Sequence, residues 1–256
     1  MPSPLSMNST SPPTSRSGLI VVAAGVGRRL GAGRHKALAS LGADGPALVE
    51  LTLRHLLKVE TLDPVVLVGH ADDRAELGAL IAGLPRPVLH VDGGARRQDS
   101  VAAGLAALPP VEHVLVHDAA RPFVPLEALP KLVEALKEVE CALLVVPVAD
   151  TLKAATNENH VQRTVDRDGL WAAQTPQAFR TEALRELLAK AAQKGQTVTD
   201  EASLFEHAGR TVRIVEGSRL NFKITTGEDL ELARALLALE TDAVHRVGTA
   251  EERAEP

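Results

Sequence analysis

A glycine-rich stretch near the start of the chain is loaded with fixed positive charge. Ala23-Ala24-Gly25-Val26-Gly27-Arg28-Arg29-Leu30-Gly31 runs on to Arg34 and Lys36. Glycine lets backbone N–H groups approach a phosphate without a Cβ in the way. Arg28, Arg29, Arg34 and Lys36 together suit a triphosphate better than the pyrophosphate of a dinucleotide. The dinucleotide fingerprint G-x-G-x-x-G would need glycine at position 30, where Leu30 stands, and the Gly-Lys-Ser/Thr of a Walker loop is missing. The competing reading of the same residues is a solvated basic loop.

Two further stretches have the composition of ligand loops. In Val91-Asp92-Gly93-Gly94-Ala95-Arg96-Arg97-Gln98-Asp99-Ser100, the glycines offer a backbone wall and Ser100 a hydroxyl for a base edge. Asp99 or Ser100 would equally serve as a plain helix N-cap. In His117-Asp118-Ala119-Ala120-Arg121-Pro122, a carboxylate and a guanidinium follow an apolar strand and would overlook one crevice. A structural Asp118–Arg121 pair is the alternative. No nucleophile motif accompanies His117, so it reads as a packed residue.

The elements that must position these loops alternate along the chain. Strand-like runs lie at Leu19–Ala24, Pro64–Gly69, Pro87–Val91, His113–His117, Cys141–Val148 and Thr211–Val215. Helical spacing recurs at Ala47–Val59, Ala71–Ala82, Ser100–Leu108 and Leu126–Val139. Continuous Val/Leu/Ile strands alternating with helices predict an α/β protein, a mostly parallel sheet flanked by helices. Ligands of such sheets bind at the carboxyl ends of the strands. Residues 149–172 break the rhythm: polar and charged, yet strand-like at Val161 and Val165, they read as a projecting two-stranded arm. Trp171, the single tryptophan, reads as core or interface packing at its base. Residues 1–17 read as a disordered tail, 18–240 as the folded domain and 241–256 as a polar C-terminal tail.

Composition narrows the function classes. Lys and Arg number 28 against 33 Asp and Glu, and there are four Phe, one Trp and no Tyr. A slightly acidic chain with so few stacking side chains argues against nucleic-acid binding. One cysteine, Cys141, excludes an internal disulfide and a cysteine zinc cluster. No apolar run reaches the roughly 18 residues of a membrane helix, which points to a cytoplasmic protein.

Six stretches in order, AAGVGRRL with the following HK, VDGGARRQDSV, VLVHDAARP, TVDRDGLWAAQTPQAF, TVTDEAS and NFKIT, resemble the 2-C-methyl-D-erythritol 4-phosphate cytidylyltransferase family from about Leu19 to about Glu240. The resemblance implies a Rossmann-like nucleotidyltransferase fold, a homodimer joined through the arm, and CMP transfer from CTP to methylerythritol phosphate in non-mevalonate isoprenoid synthesis. It implies catalytic roles for Arg29, Lys36, Arg167 and Lys223. CTP would be bound by Ala23, Ala24, Gly25, Gly27, Gly94, Ala95, Ser100, Asp118 and Ala119, and methylerythritol phosphate by Arg121, Thr151, Arg167, Thr199 and Lys223. Mg²⁺ is the implied cofactor, and with no carboxylate cage legible it would ride mainly on the CTP phosphates.

The chain departs from the family pattern at three points. Val22 stands where Pro is usual, His35-Lys36-Ala37 replaces Pro-Lys-Gln, and Ala95 replaces a common Asp. The rival substrate is ribitol 5-phosphate, whose enzymes tend to carry Ser-Val-Arg after His-Asp, against Ala119-Ala120-Arg121 here. Rivals of other classes are a nicotinamide-dependent oxidoreductase, disfavoured by Leu30, and a catalytically silent nucleotide-binding protein, which would have lost one of the four basic residues.

Overall fold

The computed structural model describes residues 16–25, 35–42 and 45–251, with side chains as far as 239. Seven strands form one sheet in the order β3-β2-β1-β4-β8-β5-β9. They are β1 (Ser17–Val22), β2 (Leu62–Gly69), β3 (Leu89–Asp92), β4 (His113–Asp118), β5 (Cys141–Pro147), β8 (Trp171–Arg180) and β9 (Val212–Glu216). All neighbouring pairs are parallel except those of β8, which runs antiparallel between β4 and β5. The mostly parallel sheet is as the sequence implies. Ser17, read as the end of a tail, is instead the first residue of β1.

The unbroken apolar runs make physical sense once both faces are traced. Leu19 and Val21 of β1, Val65 and Leu67 of β2 and Leu115 of β4 join one core cluster. Their neighbours Ile20, Val66, Val68, Val114 and Val116 join a second cluster on the opposite face. Successive Cβ atoms point to opposite sides of a strand, so a sheet covered twice needs apolar residues at every position. Helices α1 (Leu48–Leu56) and α4 (Leu129–Ala135) pack on the first face through Leu53, Leu56, Leu129 and Leu132. Helices α3 (Arg97–Ala107), α5 (Thr181–Gln193) and α6 (Ala202–His207) cover the second through Leu105, Leu184 and Phe205. Helix α2 (Arg74–Ala82) follows β2, and α7 (Gly227–Glu251) closes the chain. This last helix continues past Glu240, where the sequence suggests only a polar tail.

Strand β8 is the element that sequence patterning does not show. Pro176 lies within it and Gln174, Thr175 and Gln177 are buried, whereas a strand signal is apolar and free of proline. Tertiary hydrogen bonds compensate these polar groups. Gln174 Nε2 donates to Ser218 O at 2.8 Å, Gln177 Nε2 to Asp200 Oδ2 at 2.7 Å, and Asn221 Nδ2 to Thr175 O at 2.9 Å. These bonds tie the loops around Asp200 and Asn221 to the middle of the sheet. Strands β6 (Leu152–Ala155) and β7 (Val161–Val165) pair antiparallel as a separate two-stranded sheet, the arm expected from residues 149–172.

Candidate active site

The parallel strands β1, β2, β3 and β4 release the chain at the same edge of the sheet. Ala23–Gly25, His70, the Gly93-Gly94 loop and Asp118 therefore meet there and border a cleft of about 1020 Å³, part of it open to solvent. Ladder bonds carry the order past the strand ends: Ala23 N donates to Val68 O at 2.8 Å, Gly93 N to Gly69 O at 2.7 Å and Ala119 N to Val22 O at 3.0 Å. Of the residues implied for CTP, Ala23, Ala24, Gly25, Gly94, Ala95, Ser100, Asp118 and Ala119 all line this cleft. Lys36 and Lys223 line it as well.

Two glycines set the shape of one wall. A Cβ on Gly93 would lie 2.3 Å from Ala24 Cβ and 2.7 Å from Ser100 Oγ, and one on Gly94 would lie 2.4 Å from Asp99 Cβ. No side chain fits at either position. The Ser100 hydroxyl accepts from Gly94 N at 3.1 Å and donates to Arg96 O at 3.1 Å. Its proton is thus committed to shaping the loop, and only a lone pair remains for a ligand. The N-cap of α3 is Arg96, not Asp99 or Ser100. Asp99 accepts from Arg96 N at 3.2 Å and pairs with its guanidinium at 2.6 Å.

The cleft floor is a chain of paired charges, with Asp118 and Glu201 buried and Lys223 exposed at its outer end. Asp118, 7% exposed, receives Arg97 on Oδ1 (Nη2 3.0 Å, Nε 3.1 Å) and Lys223 on Oδ2 (Nζ 2.7 Å). Arg97 bridges onward to Glu201, itself 1% exposed. Burial by itself would raise the Asp118 pKa, but Arg97 and Lys223 hold it well below the usual carboxylate range. Burial opposes the charge on Arg97, yet Asp118 and Glu201 push its pKa up. Lys36 is lowered to about 8, first by burial and then by Lys223, with Asp118 and Asp229 offsetting part of the effect. His117 is fully buried and lowered to about 4 by that burial, with its ring nitrogens 3.0 Å from Arg121 O and from Thr175 Oγ1. A neutral, packed imidazole matches the reading of its sequence context.

Other implied residues stand apart from the cleft. Arg121 does not pair with the Asp118 carboxylate: its Nη1 donates to Asn221 O at 2.8 Å and steadies the segment that carries Lys223. Ile224 N reinforces that segment by donating to Ala120 O at 2.9 Å. Thr199 is exposed beside the Asp200–Glu201 loop, and Thr151 and Arg167 are exposed on the arm. Arg29 and Gly27 lie outside the described residues, as do Arg28 and Arg34. Arg97, Glu201 and His70 are absent from the residues singled out by sequence. Arg97 sits inside a motif noted only for its glycines and Ser100. Glu201 follows the noted Thr199, and His70 occupies a strand tip, the same kind of position that singles out Asp118.

A family model for IspD, 2-C-methyl-D-erythritol 4-phosphate cytidylyltransferase, matches residues 18–239. The chain belongs to this family. Cytidylyltransferases of the same name resemble it along almost their whole length. That of Prochlorococcus marinus MIT 9313 is 40% identical over 88% of this chain and 99% of its own. That of Geobacillus kaustophilus HTA426 is 43% identical over 86% and 96%. Among solved structures, 4-diphosphocytidyl-2C-methyl-D-erythritol synthase from Anaerococcus prevotii superposes with a TM-score of 0.75 at 31% identity, covering 88% of this chain and 99% of that one. The cytidylyltransferase of Thermus thermophilus gives 0.70 at 35%, covering 86% and 98%. The cytidylyltransferase chain thus has the Rossmann-like fold of its family, and no helix among the described residues is long and apolar enough to cross a membrane.

Proposed function

We propose that this chain transfers CMP from CTP to 2-C-methyl-D-erythritol 4-phosphate, giving 4-diphosphocytidyl-2-C-methyl-D-erythritol and pyrophosphate for non-mevalonate isoprenoid synthesis. The observation that carries the reading is the gathering of Lys36, Lys223, Arg97 and Asp118 in one glycine-walled cleft at the strand ends. The enzyme works in the cytoplasm, and residues 18–240 form its cytidylyltransferase domain.

The acceptor phosphate is an anion at neutral pH, so no general base is needed to create the nucleophile. One of its oxygens bonds to the α-phosphorus of CTP while the bond from that phosphorus to the bridging oxygen breaks, and pyrophosphate leaves with the electron pair. The barrier lies in bringing two anions together and in the charge of the pentavalent phosphorus, so positioning and fixed positive charge do most of the work. Lys36, already partly buried beside the cleft, stabilises that charge together with Arg29 of the glycine loop. Asp118 holds Lys223 and Arg97 in place, and both of its oxygens are engaged in doing so. Ala23, Ala24, Gly25, Gly27, Gly94, Ala95, Ser100 and Ala119 form the CTP wall.

The reaction takes a divalent cation, Mg²⁺, whose chemistry is to neutralise charge on the phosphates. The acidic side chains at the cleft floor are already paired with Arg97 and Lys223, which supports an ion carried by the nucleotide's own phosphates. Methylerythritol phosphate is held by Lys223, Arg121 and Thr199 with Thr151 and Arg167 of the arm. A two-stranded sheet is unstable alone, and Val161, Leu170 and Trp171 are exposed on and beside the arm, which supports docking on a second copy of the chain. In that homodimer Arg167 serves the partner's Lys36 cleft.

The deciding experiment is pyrophosphate release from CTP with a panel of acceptors. Turnover is expected with methylerythritol phosphate and not with ribitol 5-phosphate. The reverse pattern would replace the substrate, and NADH binding without pyrophosphate release would replace the reaction class.

A further inference from the structure

We propose that His35, His70 and Asp72 form a binding site for a transition-metal ion of the zinc class, which clips the Lys36 turn to the loop after β2. One ligand atom from each of the three side chains lies within 4.8 Å of the others. The two imidazole rings are 4.1 Å apart and tilted by 34°. His70 Nδ1 stands 3.5 Å from Asp72 Oδ2. Two ligands of a tetrahedral zinc, each about 2.0–2.1 Å from the ion, are separated by roughly 3.4 Å, so this pair already has the required span. The His70 Nδ1 lone pair is taken by Asp72 N at 3.2 Å, and an ion bound at this nitrogen would replace that bond.

The surroundings fit a metal site in a second, independent way. His35 Nδ1 lies 2.7 Å from Asp73 Oδ2, and Asp73 is largely sheltered. A carboxylate on the far nitrogen is the partner that metal-ligating histidines ordinarily have, because it fixes the ring and its tautomer. Asp73 thus leaves Nε2 of His35 for the ion. Two imidazoles and one carboxylate select zinc, cobalt or nickel over magnesium, which prefers oxygen. Three protein ligands leave a coordination position for water.

The location gives the site its consequence. His35 immediately precedes Lys36, and His70 itself lines the cleft. These two ligands come from segments well separated in the chain that meet at this corner of the fold. An ion there would hold Lys36 against the strand ends, a task for which His35 offers no backbone restriction of its own.

The test needs no nucleotide, so its failure is separate from failure of the cytidylyl-transfer reading. The full chain, stripped with a chelator, is titrated with zinc chloride in competition with a chromophoric zinc chelator. One ion per chain is expected. His35→Pro removes the imidazole at a backbone of φ −65° that proline accepts, and should weaken binding at least about tenfold. His70→Ala and Asp72→Asn should do the same. Asp72 is exposed, so its substitution reads the site even if a histidine variant folds poorly. His160→Ala on the arm should change nothing. No one-to-one binding by the parent chain would overturn the proposal, as would unaltered affinity in His35→Pro and Asp72→Asn, or loss in His160→Ala instead.

Discussion

The cleft and the arm carry the same kinds of residue but organise them differently. On the cleft floor the charges have fixed counterparts: Lys223 on Asp118, Asp118 on Arg97, Arg97 on Glu201. The arm is the opposite case. Arg167 and Thr151 are exposed, and Val161 and Trp171 are 65% and 44% exposed. Electrostatic catalysis works through groups whose orientation is established before the reaction, since no reorganisation is then needed at the transition state. The cleft meets that condition within one chain. The exposed Arg167 and Thr151 of the arm do not, and in the proposed homodimer they would gain a fixed geometry by docking on a second copy of the chain.

The largest effect that would sharpen this contrast is on turnover. Lys36→Ala should lower kcat by about 10²–10³, or roughly 3–4 kcal/mol, with a smaller change in CTP affinity. Steady-state kinetics in CTP decide it. An unchanged kcat with a raised KM would make Lys36 a ground-state anchor and remove the cleft's claim to pre-organised catalysis.

Next in size is restoration of activity across subunits. Lys36→Ala and Arg167→Ala should each be nearly inactive alone. Refolded together, half of the dimers are mixed and one site in each carries neither change, so about a quarter of parent activity should return. Simple mixing without subunit exchange should restore nothing. If verified mixed dimers stay inactive, Arg167 serves its own chain and the arm is not a shared element.

A smaller effect follows from the lowered pKa of Lys36. Its ammonium is fully present well below about 8 in the free enzyme and is lost as pH rises through that value. The ratio kcat/KM for CTP, which reports the free enzyme, should therefore fall up to about tenfold per pH unit above about 8. Lys36→Arg should abolish that alkaline limb, because a guanidinium keeps its proton throughout. A limb retained in the arginine variant would assign the titration to another group.

Much of the cleft was legible because its parts are local. Gly93 and Gly94 announce a wall without side chains, Asp118 ends an apolar strand, and the elements between them follow apolar periodicity. Arg97 was not legible: adjacent Arg96 and Arg97 look alike in sequence. The first turn of α3 directs Arg96 to Asp99 and Arg97 across the cleft to residues 21 and 104 positions away. Strand β8 was hidden for a related reason. Its polar residues are tolerated in the sheet by partners at Asp200, Ser218 and Asn221, and no local pattern reveals such partners.

The sequence by itself determined the doubly covered sheet, the loops at its carboxyl edge, the interrupting arm and the family. These depend on side-chain alternation, glycine and charge within short windows. Only the tertiary structure decided which arginine belongs to the floor, that Arg121 steadies the Lys223 segment rather than pairing with Asp118, and that His35 meets His70 and Asp72. Each of those depends on a distance between segments far apart in the chain, which is set by how the strands stack in space.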